Sequence, residues 1–194
     1  MQQLKSVEPE LSQSTAPKLN EVDIKLLPYV SIDGEYTLSD FVLDGFFQQL
    51  QEEKTAQIVF QDGFICNGED FVKFLKEPRN LPAFAFIDNR IVGVAWINGI
   101  TGKHAFAHFA LLKSIWGKHS EEVGKAYLRY WFALPSTKKE PLLDVILGFI
   151  PAKNSHALQF IKRLGFKQVG EIPSIMYNAI DDEYEAGVLS YIKR

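Results

Sequence analysis

The sequence contains a single cysteine, Cys66, among 194 residues. One cysteine cannot form an internal disulfide and offers no cysteine cluster for a metal ion. No apolar run approaches the roughly 20 residues that a membrane-spanning helix needs, and the opening Met-Gln-Gln-Leu-Lys-Ser lacks the apolar core of a signal peptide. We therefore expect a cytoplasmic protein that makes no contact with a membrane and binds no metal.

An excess of basic charge is also absent. The 21 Lys and Arg residues are outnumbered by 24 Asp and Glu residues, which gives a formal net charge of −3. Proteins that bind nucleic acid by electrostatic attraction carry a basic patch or stripe, and none is visible here. The charge balance therefore predicts that nucleic acid is not a partner.

Apolar and aromatic residues, by contrast, are plentiful. Hydrophobic residues make up 46% of the chain and fifteen residues are Phe, which is enough for one well-buried core. Residues 1–20 are rich in Ser, Gln, Pro and Glu, so we expect a poorly ordered tail there and a single domain over 21–194.

The stretch 104–166 alternates strand and helix patterns. A strand is predicted at 104–113, a polar turn at 114–120, an amphipathic helix at 121–134, an apolar strand at 142–150, and a second helix between Asn154 and Gly165. This order predicts two neighbouring parallel strands joined by a crossover helix. A polar loop before a helix N-terminus is a common way of holding a phosphate.

The flanking segments predict further strands and helices. Strands are expected at 21–30, 82–88 and 91–98, helices at 41–50 and 69–75, and a closing hairpin at 167–177 and 186–192, with turns at Asn98-Gly99 and Thr101-Gly102. Together these elements predict an α/β (α+β) domain with a mixed, mainly antiparallel sheet and helices on both faces.

The central stretch resembles the GNAT acetyltransferase superfamily. The residues that carry the resemblance are Trp116-Gly117-Lys118, the helix ending Leu128-Arg129-Tyr130-Trp131-Phe132, Asn154-Ser155-His156-Ala157 and Gly165-Phe166. Their spacing is most similar to the branch that acetylates the N-termini of ribosomal proteins. The resemblance implies the acyl-CoA N-acyltransferase fold, acetyl-CoA as co-substrate and an amine as acceptor.

In that family an Arg/Gln-x-x-Gly-x-Gly/Ala loop holds the coenzyme A pyrophosphate. The three constrained positions fall on Trp116, His119 and Glu121, and all three differ from the pattern. A second register over 121–126 restores Gly124 and Ala126 but lengthens the preceding loop. The resemblance thus implies cofactor contacts by Leu112, Lys113, Trp116, Gly117, Lys118, His119, Ser120, Gly124 and Asn154.

The resemblance also directs attention to acid–base groups. The family often has a Tyr four residues before the Gly-Phe pair, and Ile161 stands there. His104 and His108 share one face of the predicted strand, about 13 Å apart, which is too far to chelate one metal ion. His108 is the candidate general base because an unperturbed His titrates near neutrality; the alternative is a histidine that is merely hydrogen-bonded on a half-exposed sheet face.

Two functions from different classes follow. The first is an N-acetyltransferase acting on a primary amine, either a protein N-terminus or a small amine, as a monomer or homodimer. The second is a catalytically inactive GNAT-fold protein that serves as a binding or assembly module. The first requires the two parallel strands to separate near Leu112 and Phe149, so that a thioester arm can lie between them.

Overall fold

The computed structural model describes residues 22–194, so the tail predicted at 1–20 lies outside the described residues. The strands are Ile24–Pro28 (β1), Ser31–Ile32 (β2), Glu35–Tyr36 (β3), Leu81–Ile87 (β4), Arg90–Thr101 (β5), His104–Leu111 (β6), Val145–Pro151 (β7), Lys167–Asn178 (β8) and Glu183–Lys193 (β9). The helices are Asp40–Glu52 (α1), Ala56–Val59 (α2), Gly68–Lys76 (α3), Ser120–Ala133 (α4) and Ser155–Arg163 (α5).

Seven of the strands form one sheet in the order β1-β4-β5-β6-β7-β9-β8. Every neighbouring pair in this sheet is antiparallel except β6 and β7, which run parallel. Since α4 connects β6 to β7, the parallel pair is the predicted crossover unit. The mixed, mainly antiparallel sheet is confirmed.

Helices cover both faces of this sheet, as predicted. Apolar side chains of α1, α2 and α3 pack on one face against Phe84, Val94 and Trp96. On the other face α4 and α5 pack against Ala95, Ile97 and Ile146, and the side chains of Tyr127 and Trp131 are fully buried there. Within residues 22–194 no helix is both long and apolar enough to cross a membrane.

The ends of the helices show how local sequence selects them. The side chains of Ser39, Asn67 and Asn154 cap α1, α3 and α5, each accepting a hydrogen bond from an amide of the first turn. Helix α4 begins after His119 without a side-chain cap. The first amides of α4 are therefore the ones available to another acceptor.

One predicted turn is wrong. Asn98-Gly99 does not reverse the chain: β5 continues through it to Thr101, and the register against β6 shifts between Asn98 and Thr101. Gly99 has a φ of +60°, a conformation that a strand accommodates as a bulge. The reversal falls instead at Gly102, with a φ of +57°. Asn98 consequently stays in the sheet.

Candidate active site

The parallel strands β6 and β7 separate soon after they meet. Their pairing covers only 104–106 of β6 and 145–147 of β7. Beyond that point β6 runs on to Leu111, while β7 continues to Pro151 paired with β9 alone. The last pair, Phe106 with Leu147, lies six residues before Leu112 on β6 and two residues before Phe149 on β7, so the strands separate earlier than the sequence suggested. The separation leaves an open strand edge, here called the slot.

The backbone of β6 presents unused hydrogen-bonding groups to the slot. The Leu112 N–H donates to the Val92 carbonyl at 2.9 Å, and Trp96 lies opposite His108 in the same register. Because hydrogen-bonded and non-bonded pairs alternate in an antiparallel ladder, the even-numbered residues of β6 bond to β5. The odd-numbered residues face β7, and the last parallel pair, Phe106 with Leu147, uses the Ala107 N–H as the donor to the Leu147 carbonyl. The Ala107 carbonyl and both backbone groups of Phe109 point towards β7 beyond that pair, and β7 does not reach them.

The loop after β6 leads into the bare N-terminus of α4. The Lys118 and His119 amides donate to the Ile115 carbonyl at 3.2 and 3.0 Å. Gly117 occupies the left-handed region with a φ of +71°, which suits glycine, while His119, at φ −122°, has an ordinary backbone. Within 115–122, the amides of Gly117, Ser120, Glu121 and Glu122 have no acceptor among the described residues.

Protein groups already hold the beginning of this loop. The Lys113 amide donates to the Glu53 carboxylate at 2.6 Å, and the Lys113 ammonium lies 5.8 Å from the centre of the Trp116 ring. The Trp116 indole donates to the Leu111 carbonyl at 3.0 Å. Leu112 is buried in the core beneath α1 and α3. These contacts fix the loop, so Leu112 and the Lys113 amide serve the fold and have no free polar group for a ligand.

The charge at the start of α4 is unfavourable for an anion. Glu121 accepts a hydrogen bond from Lys125 at 2.6 Å, and this bond together with the Lys125 charge lowers the pKa of Glu121. The Glu121 carboxylate is therefore ionised beside amides that would otherwise favour a negative ligand. Lys125 partly compensates this charge.

Gly124 has a packing role. A Cβ at Gly124 would come within 2.8 Å of the Leu164 side chain and 2.9 Å of the Phe160 ring. The glycine lets α5 approach α4 closely, and it lies in the second turn of a helix that begins at Ser120. The second register would thus place a packed helical glycine in the phosphate loop, whereas Trp116 and His119 of the first register lie in the loop before α4. The choice of register stays a prediction.

Helix α5 supplies a cap and an apolar side chain. The Asn154 side-chain oxygen accepts a hydrogen bond from the Ala157 backbone amide at 3.0 Å, which confirms the predicted cap. The side-chain NH₂ of Asn154 has no protein acceptor among the described residues. Ile161 is buried in the core between α5 and the sheet. No acid that could protonate a leaving thiolate stands at that position.

His108 lies on β6 just beyond the paired segment, beside the slot. Its ring stacks on Trp96, with centroids 5.0 Å apart and planes 9° apart, and its Nε2 is 3.2 Å from the Asn98 Oδ1. Burial lowers the pKa of His108 to about 4. The imidazole is therefore neutral at neutral pH and has a lone pair that can accept a proton. His104 lies within the paired segment and belongs to no such network.

Sequence reasoning missed two asparagines behind His108. The Asn98 Nδ2 donates to the Asn80 Oδ1 at 3.3 Å, and the Asn80 Nδ2 donates to the Phe74 carbonyl at 2.7 Å. Asn98 had been placed in a turn, and Asn80 precedes a strand in an unremarkable loop. Only the tertiary fold brings these residues together.

The loop after α2 reaches the β8–β9 hairpin on the far side of the sheet. The Gln61 side chain donates to the buried Glu185 carboxylate at 2.8 Å, and the Ala179 amide donates to the Gln61 carbonyl at 2.8 Å. Glu185 also lies 3.7 Å from the Lys153 ammonium. These contacts tie the α1–α3 layer to the hairpin.

Among residues 22–194 no three or more His, Cys, Asp and Glu side chains are grouped so that they could hold a metal ion.

Comparison with known proteins identifies the fold. No protein-family model and no curated protein matches the chain. Among solved structures, a spermidine N-acetyltransferase from Vibrio cholerae in complex with CoA and spermine is similar, with a TM-score of 0.66, 13% identity, and coverage of 88% of this chain and 95% of that chain. A putative acetyltransferase gives a TM-score of 0.65 at 13% identity, with coverage of 88% and 85%. The chain thus has the GNAT-type fold of these acetyltransferases.

Proposed function

We propose that the protein is an N-acetyltransferase that transfers the acetyl group of acetyl-CoA to an amine. The observation that carries this proposal is the slot, where β6 parts from β7 after Phe106 and exposes the Ala107 carbonyl and the backbone of Phe109 beside His108. The fold shared with an acetyltransferase that was solved with CoA supports it.

The free backbone groups suit the extended, phosphorylated shape of acetyl-CoA. The pantetheine arm, which contains amides, would pair with Ala107 and Phe109 as an additional strand does. The pyrophosphate would lie on the four free amides of the loop and of the α4 N-terminus. The proposed path of the cofactor is lined by Trp116, Lys118 and Ser120. The side-chain NH₂ of Asn154 can donate a hydrogen bond to the pantetheine arm.

The reaction that fits is direct transfer. The amine nitrogen attacks the thioester carbonyl carbon, a C–N bond forms, and the C–S bond breaks as the tetrahedral intermediate collapses. His108 takes the proton that the nitrogen loses, and the thiolate leaves to be protonated by solvent. A backbone N–H in the slot would stabilise the oxyanion.

The depressed pKa of His108 favours one class of amine. A base with a pKa of about 4 is too weak to deprotonate an ammonium ion to a useful extent. The acceptor amine must therefore bind in its neutral form. At pH 7 about one in seven α-amino groups of pKa ~7.8 is neutral, against about one in 2,500 alkylamines of pKa ~10.4. We therefore propose a protein or peptide N-terminus, as in the ribosomal-protein branch, ahead of a polyamine.

Calorimetry and a transfer assay test this function. We expect acetyl-CoA to bind with micromolar affinity, and a peptide with a free N-terminus and acetylated lysines to be acetylated faster than spermidine. The matched control is the same peptide with a blocked N-terminus. Faster acetylation of spermidine would contradict the choice of acceptor, and absence of binding at millimolar acetyl-CoA would contradict the function.

The second candidate is a binding or assembly module without catalysis. It is favoured by His119 where the family loop has Gly, by the ionised Glu121 at the α4 N-terminus, and by buried Ile161 where the family often has Tyr. This candidate predicts no binding of acetyl-CoA in the same calorimetric experiment.

A further inference from the structure

A chain of side-chain hydrogen bonds runs from His108 to the end of α3. His108 Nε2 lies 3.2 Å from Asn98 Oδ1, Asn98 Nδ2 lies 3.3 Å from Asn80 Oδ1, and Asn80 Nδ2 lies 2.7 Å from the Phe74 carbonyl oxygen. The chain crosses three elements, β6, β5 and the loop before β4. It connects a candidate catalytic group to a fixed backbone atom.

The backbone carbonyl at its end sets the direction of every bond in the chain. A carbonyl oxygen can only accept, so Asn80 must turn its NH₂ to Phe74 and its oxygen to Asn98. Asn98 must then donate its NH₂ to Asn80 and present its oxygen to His108. Because that oxygen also only accepts, the neutral His108 must carry its proton on Nε2.

The other ring nitrogen is left as the acceptor. Nδ1 of His108 has no hydrogen-bond partner in the described part of the chain, and it is not among the buried polar atoms that lack one. It is therefore open to solvent. The ring cannot easily tilt, because it stacks on Trp96, which itself stacks on Phe60 with centroids 5.8 Å apart.

The anchor of the chain is well buried. Asn80 is only 4% exposed, and its backbone N–H donates to the Glu77 carbonyl at 2.9 Å. Burying a polar side chain is costly unless its groups are paired, and Asn80 is paired on both its oxygen and its nitrogen. A flip of the Asn80 side-chain amide would bring its oxygen against the Phe74 carbonyl oxygen, so the orientation of this side chain is fixed.

We propose that Asn98 and Asn80 are positioning residues that hold His108 as its Nε2–H tautomer and so leave Nδ1 as the proton acceptor for the incoming amine. This inference rests on the proposed function for its chemistry, but the tautomer is a property of the protein alone. It assigns roles to two residues that make no contact with either substrate.

Nitrogen-15 NMR of the full-length protein reads the tautomer directly, with His108→Gln to assign the signal. We expect a neutral His108 with a slowly exchanging proton on Nε2. In Asn98→Ala that proton should exchange rapidly. In Thr101→Ala, on the same strand, it should stay protected. A proton on Nδ1 in the wild-type protein would overturn the proposal.

Kinetics separate positioning from folding. Asn98→Ala should lower kcat by about tenfold, part of the 10²–10⁴-fold that a general base supplies, with an unchanged KM for acetyl-CoA. Thr101→Ala on the same strand should behave as wild type. An unchanged kcat in Asn98→Ala would overturn the positioning role. Absence of transfer in the wild type, with Nε2–H protected, would remove the proposed function and leave the tautomer assignment standing.

Discussion

The His108 imidazole is a titratable ring in an apolar environment, and its pKa can be measured through the pH dependence of stability. Its pKa falls from an ordinary 6.5 to about 4 because burial disfavours the charged ring. As the pH falls below 6.5, His108 becomes protonated in the unfolded chain but stays neutral in the folded protein. The folded state therefore loses stability until the pH reaches about 4. Above pH 6.5 the effect vanishes.

Urea unfolding at a series of pH values tests this linkage. Between pH 7 and pH 4 the wild-type free energy of unfolding should fall by up to about 3 kcal/mol more than that of His108→Gln, since each pKa unit corresponds to about 1.36 kcal/mol. His104→Gln is the matched control and should follow the wild type. Parallel curves for wild type and His108→Gln would show that the ring titrates normally.

Glu121 tests whether the α4 N-terminus receives a phosphate. Removing its charge should strengthen acetyl-CoA binding about two- to fivefold, because a carboxylate in the first turn repels a neighbouring anion and competes with it for the helix dipole. Glu69→Gln is a matched control, since Glu69 pairs with Lys73 at 2.6 Å in the same spacing on α3. Calorimetry at low salt measures both. Equal affinities for Glu121→Gln and the wild type would place the phosphates elsewhere.

Residue-scale reasoning from sequence reached His108 and Asn154 but not Asn98 or Asn80. A strand's alternation shows which side chains share a face, and a helix cap has a local signature. A hydrogen-bonded chain through three elements has no local signature at all. Its members are distant in sequence until the sheet assembles.

At the scale of elements, the contact between α4 and α5 depends on one glycine. Gly124→Val should destabilise the protein by about 1–3 kcal/mol, because the added carbons meet the Leu164 and Phe160 side chains in a packed contact. Gly45→Val is the matched control: Gly45 lies in α1 with nothing within 4 Å of a built Cβ. Thermal or urea unfolding compares them. Equal stability of both variants would mean that α5 is loosely packed.

Most element boundaries were predictable because the hydrophobic periodicity within each element and the turn or capping residues at its ends indicate the same limits. The amphipathic pattern of α4 and the apolar run of β7 are examples, although β7 begins at Val145 instead of Leu142. The two-residue strands β2 and β3 and the four-residue α2 are too short to show a period. The bulge at Asn98-Gly99 was mistaken for a turn because both use a glycine with positive φ.

At the scale of the whole molecule, the order of elements predicted a mixed, mainly antiparallel sheet, and the resemblance carried by residues such as Asn154 and Gly165-Phe166 implied the GNAT-type fold. A meander followed by a parallel crossover and a closing hairpin allows few arrangements. The point at which β6 and β7 part was not predictable, because the extent of a pairing between strands distant in sequence has no local signature. That separation is the feature on which the proposed function depends.

Amide hydrogen exchange at Phe109, followed by NMR with and without acetyl-CoA, tests the slot most directly. This amide faces an open edge in the free protein and should exchange quickly. Saturating acetyl-CoA should slow its exchange at least about tenfold, while amides already paired between β5 and β6, such as that of Ala110, should change little. Unchanged exchange at Phe109 in the presence of bound acetyl-CoA would contradict the account.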